Sequence, residues 1–127
     1  MAVKTALIID DEPDVTTYHG TVLSDHGWEV HTANSGAEGI VLAQEKTPDV
    51  IMLDVMMPEK GGLSTLIALR KDERTKEIPV VLVTGIQETL NADFEAFLNR
   101  FKTYNPNGYM EKPIDVDKLI SKLEELT

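Results

Sequence analysis

The chain has 127 residues, enough for one domain with its own core and no need of covalent staples. Its composition, 42% hydrophobic and 27% charged without a cysteine, excludes a disulfide framework and thiolate metal sites and suits a reducing cytoplasm. A formal charge of −10 argues against gripping nucleic acid by its phosphates, and apolar runs of about five residues fall far short of a membrane span.

In chain order, Ala6-Leu7-Ile8-Ile9 predicts a buried strand that runs into the acids Asp10-Asp11-Glu12. Pro13 suits the first position of a helix, whose stripe is expected at Val15, Tyr18, Val22 and Leu23 and whose stop is Gly27. Trp28 to Thr32 alternates and predicts a more exposed edge strand. Asn34-Ser35 is expected to cap a second helix with Ala37, Ile40, Val41 and Ala43 as its apolar stripe.

The central run Val50-Ile51-Met52-Leu53-Asp54, lying between Pro48 and Pro58, reads as a strand buried on both faces that ends in a carboxylate. Gly61-Gly62 predicts a turn that needs positive φ, and Leu63, Leu66, Ile67 and Leu69 predict a third helix. Val80 to Val83 is another buried strand, ending at Thr84-Gly85. Leu90, Phe94, Phe97, Leu98 and Phe101 keep helical spacing over roughly 88–102. Tyr109-Met110 is a short strand before Glu111-Lys112-Pro113, and Asp115 is expected to cap a last helix carrying Val116, Leu119, Ile120, Leu123 and Leu126. Five strands alternating with five helices predict a doubly wound α/β sandwich: a parallel sheet with right-handed crossovers.

Open α/β sheets place their chemistry at the carboxyl ends of the strands, and here those ends supply Asp10, Asp11, Asp54, Thr84 and Lys112. Clustered carboxylates repel, and a hard divalent cation such as Mg²⁺, bound through oxygens alone, would relieve the repulsion. Asp54 is then a candidate nucleophile toward phosphorus, with Lys112 and the Thr84 hydroxyl available to a phosphoryl group. The histidines His19, His26 and His31 lie outside these motifs and receive no role.

At these residues the chain resembles the receiver domain of bacterial two-component response regulators. The acidic pair Asp10-Asp11, the Leu-Asp-Val-Met-Met-Pro around Asp54, Thr84-Gly85 and Glu111-Lys112-Pro113 fall in family order over essentially the whole chain, residues 1–127. The resemblance implies the strand order 2-1-3-4-5. It also implies phosphorylation of Asp54 by a sensor histidine kinase, a histidine phosphotransfer protein or a small phosphodonor. Mg²⁺ would be held by Asp11, Asp54 and the Met56 carbonyl, with Asp10 contributing through water. Thr84 and Tyr109 would form the switch, and the Lys112–Pro113 bond would be cis. Such domains act on a downstream protein target or an attached output domain, and some form homodimers through the fourth helix, fifth strand and fifth helix.

Met56 and Ile86 stand where the family tunes autodephosphorylation; neither side chain can hydrogen-bond an attacking water, so a long-lived aspartyl phosphate is expected. The segment from Thr84 to Lys112 is longer than is common in the family, and an exposed phenylalanine there would suggest a specialised interface. Two other functions compete. An aspartyl phosphohydrolase resembling the haloacid dehalogenases would want a second aspartate where Met56 stands, and a degenerate receiver used only for docking would not need the intact Asp, Thr and Lys set.

Overall fold

The structure is a computed structural model and describes residues 3–55, 61–85 and 99–127. Strands β1 (Thr5–Ile9), β2 (Glu29–Ala33), β3 (Val50–Asp54), β4 (Val80–Thr84) and β5 (Gly108–Glu111) form one parallel sheet in the order β2-β1-β3-β4-β5. Helices α1 (Pro13–Asp25), α2 (Gly36–Lys46) and α3 (Gly62–Lys71), a helical stretch at 99–102 and a C-terminal helix (Val116–Leu126) cover the two faces. This is the doubly wound sandwich and the strand order that the sequence led us to expect.

The central strands β3 and β4 are buried along their whole length, as apolar runs in a doubly covered sheet must be. The edge strands β2 and β5 are partly exposed and more polar. Successive side chains point to opposite faces, so the core divides in two. Leu7, Ile9, Ile51, Leu53 and Leu82 meet α2, α3 and Phe101 on one face; Ala6, Ile8, Met52, Val81 and Val83 meet α1 and the C-terminal helix on the other. Phe101 is therefore a core residue, whereas Phe94 and Phe97 lie outside the described residues.

Two helices are rotated from the stripes that their sequences suggest. In α1 the buried positions are Thr16, His19 and Leu23, and Tyr18 is 56% exposed. The N-terminal half of this helix lies beside the polar carboxyl ends of the strands, so polar side chains can be buried there with partners. In α2 the buried positions are Gly36, Gly39 and Ala43, while Ala37 and Val41 face outward. The cause is close approach: a Cβ on Gly39 would lie 2.5 Å from Ile9 Cδ1, so only small residues fit the stripe facing β1.

Gly61 and Gly62 also serve a different purpose from the one expected. Gly61 has φ −67° and Gly62 begins α3, so no positive φ is needed. A Cβ on Gly62 would instead lie 2.6 Å from Val55 Cα and 2.7 Å from the Asp54 carbonyl oxygen, so glycine lets α3 start directly against the end of β3. Gly27 does take the left-handed conformation, at φ +88°, and Asp115 caps the C-terminal helix by accepting from Lys118 N–H.

Candidate functional site

Strand register brings the polar residues together. Ile9 pairs with Leu53, so Asp10 and Asp54 come level at the ends of adjacent strands and continue the face of Ile8 and Met52. Lys112 lies two residues beyond Met110, which packs on that same face. Its backbone N–H donates to the Thr84 carbonyl at 2.7 Å, extending the β4–β5 ladder by one residue. The peptide bond from Lys112 to Pro113 is cis.

Asp10 and Asp54 are almost fully buried. Lys112 Nζ lies 3.0 Å from Asp10 Oδ2 and 3.9 Å from Asp54 Oδ2, a cation shared between two carboxylates. Burial acts to lower the Lys112 pKa, but its hydrogen bond to Asp10 and the charges of Asp54, Asp10 and Glu12 outweigh burial and leave it raised. Asp11 is half-buried and Glu12 exposed, and the carboxylate oxygens of Asp10, Asp11 and Glu12 lie within 4.8 Å of one another. An acidic cluster with oxygen donors and no thiolate or imidazole among them fits a hard divalent cation.

Thr84 is buried at the end of β4, and its hydroxyl makes a long 3.5 Å contact to the Met110 carbonyl on β5. Tyr109, level with Leu82 on the edge strand, is 41% exposed, and partial burial raises the pKa of its hydroxyl. Met56 and Ile86 lie outside the described residues.

Three residues to which the sequence reading gave no part in the site belong to this neighbourhood. Glu12 joins the acidic cluster, and the run of three acids was its signal. His19 is buried on α1, where burial lowers its pKa, the Asp10 charge opposes that shift and the Lys112 charge reinforces it. Asn34 does not cap α2; Ser35 does, accepting from Glu38 N–H at 3.1 Å. The Asn34 side chain instead donates to the Asp10 carbonyl at 3.0 Å, a contact with no local sequence signature.

The response regulator receiver domain family matches residues 6–124. Protein PilH of Pseudomonas aeruginosa is 32% identical over 117 residues, covering 92% of this chain and 92% of PilH. The polar-differentiation response regulator DivK of Brucella ovis is 30% identical over 121 residues, covering 95% of this chain and 94% of DivK. RpaA of Synechocystis sp., a DNA-binding transcriptional regulator, is 33% identical over 120 residues, and there the chain spans about half of the relative's length, 47%.

Among solved structures, chemotaxis protein CheY4 of Vibrio cholerae superposes with a TM-score of 0.87 at 27% identity, covering 99% of this chain and 100% of CheY4. A receiver domain protein from Clostridium thermocellum gives 0.84 at 26% identity, covering 98% and 94% of the two chains. Because the family match runs from the first strand into the C-terminal helix, the chain belongs to the response regulator receiver domains, the signalling domains of two-component systems.

Proposed function

We propose that residues 1–127 form one receiver domain that accepts a phosphoryl group on Asp54. The observation that carries this reading is the position of Asp54, buried at the carboxyl edge within 3.9 Å of Lys112 and level with Asp10. In the transfer, an Asp54 carboxylate oxygen forms a bond to phosphorus while the bond from phosphorus to the donor breaks. The donor is the phosphohistidine of a sensor histidine kinase or histidine phosphotransfer protein, or a small acyl phosphate, and its imidazole or carboxylate leaves.

The Lys112 ammonium neutralises charge on the transferred phosphoryl oxygens, and the Thr84 hydroxyl donates to one of them. Asp10, Asp11, Asp54 and the Met56 carbonyl would hold Mg²⁺, which supplies charge neutralisation at the acidic edge when bound. Thr84 turning from the Met110 carbonyl toward the phosphoryl group gives Tyr109 room to change its exposure, and this alters the surface offered to a partner. The partner is a downstream protein or an attached output domain rather than nucleic acid, in keeping with the charge of −10, and the setting is the cytoplasm. No described helix is long and apolar enough to cross a membrane.

Intact mass after incubation with Mg²⁺ and acetyl phosphate tests the reading. One added phosphoryl group on the parent and none on Asp54→Asn is expected. An unmodified parent, or an equally modified variant, overturns it. The decay of that mass also tests the expectation of a long-lived phosphoryl group.

A further inference from the structure

The acids proposed to hold the cation follow β1, and their segment is held by the residue that follows β2. The β1–β2 ladder ends at the pair Ile9 and Ala33, after which the Asp10 N–H still reaches the Ala33 carbonyl at 3.1 Å. The next backbone group, the Asp10 carbonyl, lies beyond the last strand pair and receives Asn34 Nδ2 at 3.0 Å. A carbonyl only accepts, so the atom facing it is the amide NH₂. The same NH₂ donates to Thr16 Oγ1 at 3.3 Å, and the Thr16 hydroxyl donates to the Pro13 carbonyl at 2.9 Å. One side-chain amide therefore ties both ends of the segment that carries Asp10, Asp11 and Glu12.

The aim of the Asp10 carboxylate depends on that segment. Its Oδ1 accepts from the Glu12 N–H at 3.0 Å and its Oδ2 from Lys112. The capping of α2 does not require Asn34, because Ser35 performs it. Two donors on a short, stiff side chain are what the position uses, and aspartate, serine or alanine cannot supply them.

We propose that Asn34 is a positioning residue for the cation-binding acids, setting Mg²⁺ affinity by holding the Asp10 carbonyl and the start of α1 in register. This inference rests on the phosphoacceptor reading. Groups that orient metal ligands from behind typically change affinity by about 10–100-fold when removed.

Calorimetric Mg²⁺ titrations of the parent, Asn34→Ala, Asn34→Asp and Ser35→Ala test it, with thermal midpoints measured without metal. Asn34→Ala is expected to weaken Mg²⁺ binding about tenfold. Asn34→Asp keeps the shape but loses the NH₂, and it should weaken binding as well, although its added negative charge alone would tighten it. Ser35→Ala should lower the midpoint and leave affinity at the parent value. Parent-like affinity in Asn34→Ala, tighter binding in Asn34→Asp, or an equal loss in Ser35→Ala overturns the inference. If the parent binds Mg²⁺ and is phosphorylated while one of those results is found, the inference alone fails. If the parent neither binds Mg²⁺ nor accepts a phosphoryl group, the underlying reading fails with it.

Discussion

Lys112 Nζ sits 3.0 Å from Asp10 Oδ2, closer than its 3.9 Å approach to the candidate phosphoacceptor Asp54. The lysine is thus a counter-charge on an acid that, in the proposed function, would also help to hold a divalent cation. Removing it takes away a positive charge that two buried carboxylates share. Lys112→Met is expected to lower stability without metal by about 1–2 kcal/mol, since part of the lysine side chain reaches solvent. The same variant should bind Mg²⁺ more tightly and accept a phosphoryl group more slowly. Mg²⁺ should therefore raise its thermal midpoint further than it raises the parent's; an equal or smaller rise contradicts the counter-charge role.

The raised Lys112 pKa has a defined direction in pH. A cation whose folded pKa lies above the ordinary 10.5 contributes fully at and below neutral pH, and the contribution disappears as pH climbs from about 10.5 through the raised value. Denaturation midpoints across the alkaline range should fall more steeply for the parent than for Lys112→Met. Parallel curves would show that the pair contributes nothing to folding.

His19 works in the opposite direction. Burial holds its pKa below the ordinary 6.5, the Asp10 charge only partly opposing this and the Lys112 charge adding to it. The unfolded chain then binds the proton more readily. His19 stability is complete above about pH 6.5 and is lost as pH falls through the folded value. Thermal midpoints between roughly pH 7.5 and 5.5 should drop for the parent and flatten for His19→Leu. A steeper drop in the variant would contradict the buried neutral imidazole.

Asp11 sits with Asp10 and Glu12 in a cluster whose oxygens lie within 4.8 Å of one another. Unit charges at such a separation repel by about 1 kcal/mol in a water-like medium, and less with salt. Asp11→Asn should therefore stabilise the metal-free protein by roughly 0.5–1 kcal/mol at low ionic strength and weaken Mg²⁺ binding, which is stability traded against function. Urea unfolding in low and high salt checks the first claim, and a destabilised variant at low salt would refute it.

Arg70 ties the end of α3 to the loops before β4 and β5. Its guanidinium donates to the carbonyls of Tyr104, Lys76, Ile78 and Asn105 and to Asn107 Oδ1. A lysine cannot reproduce that fan of donors, so Arg70→Lys should cost about 2–3 kcal/mol. A midpoint within a degree of the parent's would mean that water replaces these bonds without penalty.

Much of this protein is legible in one dimension. Short apolar runs ending in Asp10, Asp54 and Thr84, punctuated by prolines and glycines, dictate buried parallel strands, because only a doubly covered sheet uses runs that are apolar on both sides. Once the strands are parallel, their carboxyl ends must share an edge, so Asp10, Asp54, Thr84 and Lys112 lie along one edge of the sheet; which of them stand side by side depends on the strand order, which only the family resemblance implied. The rest depends on distance between elements. The rotation of α2 was decided by how near Gly39 comes to Ile9, and that of α1 by which polar groups its first turns meet. The grip of Asn34 on Asp10 spans 24 residues and two strands, and the closer partnership of Lys112 with Asp10 spans 102. Periodicity records which residues prefer burial, whereas packing decides which partner each one finds there, and partners so far apart in the chain leave no mark in its local pattern.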